Sequence, residues 1–259
     1  MIDFHNHVIP GVDDGAADLD ASRAALAEYQ AQGVTALIAT PHLRGSETIN
    51  EGMRELWLTR VDAAWERLRE MASAEFPGLR LERGAEVMLD VPLPTLGDAR
   101  IRLAGTRFVL VEFPFMTVPP RASEVLFELA MAGWTPVLAH PERYANLDTG
   151  PDGAAEWHRR GTLLQVNCGS LLGKYGPTAR DVAWGLLKAG VVDYLCSDFH
   201  TRGSLHLAAC RAELERRGGA AQAALLMERN PALLLQGAPP EPVPPLEGGG
   251  LWKRLFGRG

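Results

Sequence analysis

Five of the seven histidines in this chain fall in four short motifs: Asp3-Phe4-His5-Asn6-His7, Thr40-Pro41-His42, His140-Pro141-Glu142-Arg143 and Ser197-Asp198-Phe199-His200. Neutral imidazole and carboxylate are the ligands that borderline divalent cations prefer, so the motifs point to a polynuclear metal site and to hydrolysis. His5 and His7, two residues apart at the end of a strand, point to the same side and can share one ion. Glu86 closes the run Leu79 to Glu86, and Glu112 closes Phe108 to Glu112 (F-V-L-V-E). A carboxylate ending an apolar strand is hard to account for by packing, because burying it unpaired costs several kcal/mol by order of magnitude. Ligation of a cation removes that difficulty, and the same reasoning covers Asp198 and His200. Gly11-Val12-Asp13-Asp14-Gly15 adds carboxylates on a glycine-bounded loop, where Asp13 reads better as the cap of the following helix. His158 and His206 lie in helical stretches and read as surface or structural.

These motifs need a scaffold that delivers every one of them to the same end. Val34 to Ala39, Phe108 to Glu112, Pro136 to Ala139, Leu163 to Val166 and Val191 to Cys196 are apolar runs without a polar side. Strands buried on both faces look like this, which favours a parallel sheet or barrel. Between them, Leu19 to Gln32, Glu51 to Ala74, Ala122 to Ala132, Ala179 to Ala189 and Leu205 to Arg217 carry helical periodicity, and four of the five stop at a glycine. Repeated strand–helix–Gly units specify an α/β protein, whose functional loops follow the C-terminal ends of the strands. All four histidine motifs sit there.

The 259 residues can bury one sizeable core. A net charge of −6, with no basic block outside the last few residues, argues against a nucleic-acid partner. Cys168, Cys196 and Cys210 are odd in number and lack C-x-x-C spacing, which argues against a disulfide framework and a zinc ribbon and fits a reducing cytoplasm. No run approaches the roughly 18 apolar residues of a membrane span, and no signal peptide precedes Met1-Ile2-Asp3. From Gly237 to Gly250 the chain is so rich in Pro and Gly that it reads as a linker. Residues 251–259 contain Leu251, Trp252, Lys253, Arg254, Leu255 and Phe256, which read either as a frayed terminus or as a weak anchor to anionic membrane or a partner groove.

Taken together, D-F-H-N-H, G-V-D-D-G, T-P-H, G-A-E-V, V-E-F-P, H-P-E-R and S-D-F-H resemble the polymerase-and-histidinol-phosphatase superfamily. The likeness is closest to the bacterial capsule and exopolysaccharide type of manganese-dependent protein-tyrosine phosphatase, and it spans residues 1–236. It implies a distorted (β/α)7 TIM-like barrel with three divalent ions, manganese foremost, with iron, cobalt or zinc also suited to the ligands. By matched motif, His5, His7, Glu86 and Asp198 hold the first ion. Glu86 bridges to a second, completed by Glu112 and His140, and Asp14, His42 and His200 hold the third. Arg143 matches the phosphate-binding arginine, and Arg202 stands in for a second one in a shortened loop. The implied substrate is phosphotyrosine in the tail of a bacterial tyrosine autokinase that controls polysaccharide export. Metal-activated hydroxide would attack it in the cytoplasm, either free or at the inner face of the membrane.

Four rivals remain. Cysteine chemistry has two C-x5-R matches, Cys196 to Arg202 and Cys210 to Arg216, but their interiors carry acidic residues that repel phosphate. An amidohydrolase often bridges two metals with a carboxylated lysine, and none of Lys174, Lys188 and Lys253 ends a strand, whereas Glu86 does. A small-molecule phosphatase of the histidinol-phosphate kind is the nearest alternative. A non-catalytic scaffold has no need for so many strand-end ligands.

Overall fold

The structure, a computed structural model, describes residues 1–147 and 153–246. Among them lie nine strands: β1 (Ile2–Asp3), β2 (Ala36–Ala39), β3 (His42–Arg44), β4 (Arg80–Arg83), β5 (Glu86–Met88), β6 (Phe108–Glu112), β7 (Thr135–Ala139), β8 (Leu163–Asn167) and β9 (Tyr194–Cys196). Every pairing is parallel. The strands form a three-stranded sheet ordered β1-β2-β4 and a six-stranded sheet ordered β3-β5-β6-β7-β8-β9. The α/β class with parallel sheets is therefore as the sequence predicts, whereas no closed sheet forms among the described residues. Two interruptions separate the sheets. Thr40-Pro41 divides β2 from β3, and Pro41 has no N–H to donate to a ladder. Gly84-Ala85 splits the expected single run Leu79–Glu86 into β4 and β5. A Cβ on Gly84 would meet the backbone of Leu103 and Arg102 at 3.1 and 3.2 Å, so only glycine fits this close approach comfortably. Across the remaining gap, Asp198 N donates to the His5 carbonyl at 2.8 Å and His7 N to the Phe199 carbonyl at 3.0 Å.

The helices are α1 (Leu19–Ala31), α2 (Gly45–Ile49), α3 (Glu51–Glu75), α4 (Ala122–Met131), α5 (Ala154–Arg159), α6 (Cys168–Leu171), α7 (Pro177–Ala189), α8 (Leu207–Arg216), α9 (Ala220–Ala224) and α10 (Asn230–Leu235). Asp18, not Asp13, caps α1, accepting from Ala21 N at 2.9 Å. Asn50 does the same for α3 through Met53 N at 3.0 Å. Gly190 ends α7 at φ +70°, a conformation that side chains disfavour.

The core divides in two. A large cluster joins the helices to the strands. A smaller one stacks Phe4, Ile38, Phe108, Leu110, Val137, Leu163, Tyr194 and Cys196 among the strands. Side chains two apart on a strand share a face. The apolar columns Phe108-Leu110, Leu163 and Tyr194-Cys196 therefore continue upward into Glu112, into Gln165 and Asn167, and toward Asp198. An apolar floor thus carries a polar ceiling.

The predicted linker begins differently. Val243 and Leu246 are buried, Asn230 Nδ2 donates to the Glu241 carbonyl at 3.0 Å, and Glu241 N donates back to Asn230 Oδ1 at 2.9 Å. The prolines of this stretch hold it extended while its two apolar side chains reach the core. Only residues up to Leu246 are described, so the remaining predicted linker and the basic tail, Leu251 to Phe256 included, lie outside the described residues. Leu246→Ala is expected to cost about 2–3 kcal/mol in denaturant unfolding. A stability unchanged by that substitution would restore the free-linker reading.

Candidate metal centre

All nine residues singled out as ligands converge: His5, His7, Glu112, His140, Asp198 and His200 end or follow strands, His42 and Glu86 begin β3 and β5 just past the breaks after β2 and β4, and Asp14 comes from a loop. Glu86, the first residue of β5, has no exposed surface, and imidazoles surround it. His5 Nε2 lies 3.1 Å from Glu86 Oε1, His140 Nε2 3.1 Å from the same oxygen, His42 Nδ1 3.0 Å from Oε2, and His7 Nε2 3.5 Å from Oε2. Glu112, ending β6, approaches His42 Nδ1 at 3.5 Å and His140 Nε2 at 3.8 Å. Asp198 Oδ1 faces His5, His7 and His200 at 3.3, 3.5 and 3.4 Å. Asp14 Oδ1 is 3.4 Å from both His42 Nε2 and His200 Nε2.

Four sets of these side chains bring donor atoms close enough to share an ion: His7 with Asp14, His42 and His200; His5 with His7 and Glu86; His5 with His140 and Asp198; and His42 with Glu86 and Glu112. These sets regroup the ligands that the resemblance implies, most visibly by drawing His140 toward His5 and Asp198. The residues are the same. Asp14 is exposed and His42 and His200 are half-buried, whereas the other six are buried, so the centre opens on the Asp14 side.

The atoms facing inward have the character of ligands. His5 Nε2, His7 Nε2, His42 Nδ1 and Glu86 Oε2 are buried without a hydrogen-bond partner. Such groups are rare in folded proteins unless something else satisfies them. A second layer fixes their orientation. His5 Nδ1 lies 2.7 Å from Gln165 Oε1, an oxygen that can only accept, so Nδ1 carries the proton and Nε2 presents its lone pair. Gln165 Nε2 donates to Asn167 Oδ1 at 2.9 Å, and Asn167 Nδ2 donates to Asp198 Oδ2 at 2.8 Å. His7 Nδ1 likewise meets Asp13 Oδ2 at 2.7 Å, leaving Nε2 inward. Backing each ligating imidazole with an acceptor is how metal sites set tautomer and aim. The donor set therefore fits divalent cations.

Without cations the cage balances its charge with protons. Burial works against a cationic His5, but Glu86 and Asp198 outweigh it and push its pKa up to about 10. His42, opposed by burial and supported by Glu112 and Glu86, is pushed up to about 11. Burial favours neutral carboxyls, yet the histidines hold Glu86 well below the usual range and Asp198 below its own. His200 is lowered, by burial and by the neighbouring His7. Backbone strain also collects here: His140 at φ +35° and Asp198 at +52° occupy the left-handed region, at about 1–3 kcal/mol each.

Arg143 does not pair with Glu142, its neighbour in H-P-E-R. Glu142 is buried and accepts from Ser170 Oγ at 2.6 Å and from Asn167 N at 2.9 Å. Arg143 turns instead to the centre, donating from Nη1 to Asp198 Oδ2 at 2.7 Å, with its guanidinium 4.3 Å from the Tyr175 ring centroid. Arg202 donates to the Asp14 carbonyl at 2.7 Å and is largely exposed at the rim. His158 pairs with Asp193 and His206 precedes α8; neither joins the cluster. The motifs alone do not single out Asp13 as a supporting residue, nor Gln165, Asn167 or Tyr175. Gln165 and Asn167 did carry a signal, as two amides on one face of an otherwise apolar strand, whereas nothing local marks Tyr175.

A family model of capsular polysaccharide synthesis proteins of the CpsB/CapC type matches residues 1–236. The chain belongs to the CpsB/CapC family. Tyrosine-protein phosphatase YwqE of Bacillus subtilis is 31% identical over 94% of this chain and 96% of its own length. Tyrosine-protein phosphatase CpsB of Streptococcus pneumoniae is 31% identical over 64% of this chain and 67% of its own length. A crystal structure from a study of YwqE and CpsB as metal-dependent tyrosine phosphatases has a TM-score of 0.76 at 28% identity, covering 94% of this chain and 100% of that one. In this family member, metal loading at pH 7 is expected to release protons, because cations displace those held by His5 and His42. Affinity should then rise with pH, and titration in two buffers of different ionisation enthalpy counts the protons. Asp13→Ala should weaken metal affinity by about 10–100-fold, and equal affinity would remove Asp13 from the supporting layer.

Proposed function

We propose that this chain is a metal-dependent protein-tyrosine phosphatase that hydrolyses phosphotyrosine on the tail of a bacterial tyrosine kinase governing capsule or exopolysaccharide synthesis. The observation that carries this reading is the largely buried cluster of five histidines and four carboxylates, four of whose inward atoms lack hydrogen-bond partners, beside the arginine of H-P-E-R. We further read His5, His7, Asp14, His42, Glu86, Glu112, His140, Asp198 and His200 as the ligands of three divalent ions, manganese foremost. The strand runs, joined across their interruptions, read as a distorted (β/α)7 barrel, supported by the single inner apolar stack and by the hydrogen bonds between residues 5–7 and 198–199. No helix among the described residues is long and apolar enough to cross a membrane, and a cytoplasmic location is part of the proposal.

Bound in this cage, the ions would supply Lewis-acid neutralisation of phosphate oxygens and a water of lowered pKa. The chain's own residues do the positioning. Asp198 uses Oδ2 for Arg143 and Asn167, which leaves Oδ1 turned to the histidines. That contact and the Tyr175 ring hold the Arg143 guanidinium at the edge of the cage, where it suits a pair of phosphate oxygens. Arg202, above Asp14, is the second cation of this reading. In-line displacement at phosphorus rests chiefly on such positioning and charge stabilisation. The phenolate leaving group, with a pKa of about 10, needs little proton donation. The cysteines take no part: Cys168, Cys196 and Cys210 are buried, and burial pushes the thiols of Cys168 and Cys196 well up.

The test compares a phosphotyrosyl peptide with histidinol phosphate as substrates, with and without chelator. Peptide turnover that chelator abolishes and manganese restores is the expected result, while preference for histidinol phosphate would favour the small-molecule branch. Arg143→Ala should lower kcat/KM by about 100-fold, the scale of losing one transition-state donor. Thiol alkylation should leave turnover intact, and its loss would reopen cysteine chemistry.

A further inference from the structure

The open side of the centre continues into a cleft of about 590 Å³ between the Asp14 loop, β3 and α3. Its floor is apolar, formed by Val12, Leu43, Trp57 and Met88, and the Trp57 indole donates to the His42 carbonyl at 3.0 Å. Five charged side chains line it in addition to His42. Two of the three acids are engaged by histidines of the centre: Asp13 meets His7 and accepts from Gly15 N, and Asp14 belongs to the cage. Glu47 Oε2 accepts from a backbone amide, Arg44 N, at 3.3 Å and keeps its charge. Neither cation of the cleft is neutralised. Arg44, ending β3, and Arg60, on α3 one turn beyond Trp57, are exposed, and neither guanidinium has a carboxylate partner among the described residues. Most other arginines of the described chain do have one, as Arg23, Arg69, Arg83, Arg100 and Arg211 illustrate.

We propose that this cleft is the docking groove for the polypeptide flanking the phosphotyrosine, and that Arg44 and Arg60 select acidic side chains there. This rests on the phosphatase reading. Arg44 and Arg60 against Glu47 leave the uncompensated charge of the groove positive, its floor accepts apolar side chains, and it adjoins Asp14 and His42, where a phosphoryl group would sit. Clustered arginines recognise acidic motifs by paired, charge-assisted hydrogen bonds. Charges at such a rim act mainly through encounter and register, so they should govern peptide affinity more than the chemical step.

The experiment uses the metal-loaded full chain and three substrates: a phosphotyrosyl peptide flanked by Asp and Glu, the same peptide with Asn and Gln, and p-nitrophenyl phosphate. The acidic peptide should have the higher kcat/KM through a lower KM, and 0.5–1 M salt should erase the difference (Debye length about 3 Å at 1 M). Arg44→Ala and Arg60→Ala should each lower the ratio of acidic-peptide to p-nitrophenyl phosphate kcat/KM by about two- to five-fold. Arg60 is on a different element from the ligands, so its variant separates a docking effect from disturbance of His42. Polarisation of a labelled acidic peptide carrying a non-hydrolysable phosphonate reads docking without turnover. Charge-dependent binding without hydrolysis would sink the phosphatase reading and leave the groove standing. Hydrolysis with equal rates on acidic and neutral peptides, or a ratio unmoved by both substitutions, would overturn the groove.

Discussion

A carboxylate with no access to solvent sits at the middle of this molecule, and the surrounding structure is organised to keep it charged. Glu86 can remain ionised only because imidazoles from four separate positions face it, each within about 3.5 Å. The segments that carry them must reach one height, which parallel strands achieve, with His42 placed there by the break between β2 and β3. The requirement extends to the layer behind. Gln165, Asn167 and Asp13 hold acceptors and donors toward the ligands, and each needs its own place on a strand or loop. Function and fold meet in the alternation of β8, where an apolar Leu163 is followed on the same face by two amides.

The architecture was largely legible because its signals are periodic. Strands buried on both faces read as unbroken apolar runs, so β6 and β7 were found nearly to the residue, and glycine stops marked the ends of α4 and α7. The residues of the cluster were legible because a buried acid requires a positive partner, and the histidine motifs reach the same level. Sheet closure was not legible, since it depends on a continuous ladder, which Pro41 breaks by lacking an N–H, and composition carries no register. The supporting residues escaped for a different reason. Asp13 looks like any acid before a helix, and only the fold shows that Asp18 already does that work. Tyr175 lies 32 residues from Arg143 along the chain, and nothing local to either position marks the stack.

The segment after Gly237 shows where composition misleads. Proline and glycine density predicts a chain that cannot pack, yet two apolar side chains suffice to seat residues 238–246 against α7 and α10. Proline helps here: its restricted φ lowers the entropy that ordering would otherwise cost. Low-complexity composition is a statement about average burial, and a few well-placed contacts can outweigh it.

The interruptions at Thr40-Pro41 and Gly84-Ala85 lie side by side and divide the strands into two sheets. His5 and His7 extend from the smaller sheet through β1, while Glu86, Glu112, His140 and Asp198 extend from the larger one. The ligand cage therefore straddles a seam. Cations held there would act as rivets across the seam, adding to the few backbone bonds that span it, such as Gly84 N to the Ala39 carbonyl and Glu86 N to the Pro41 carbonyl.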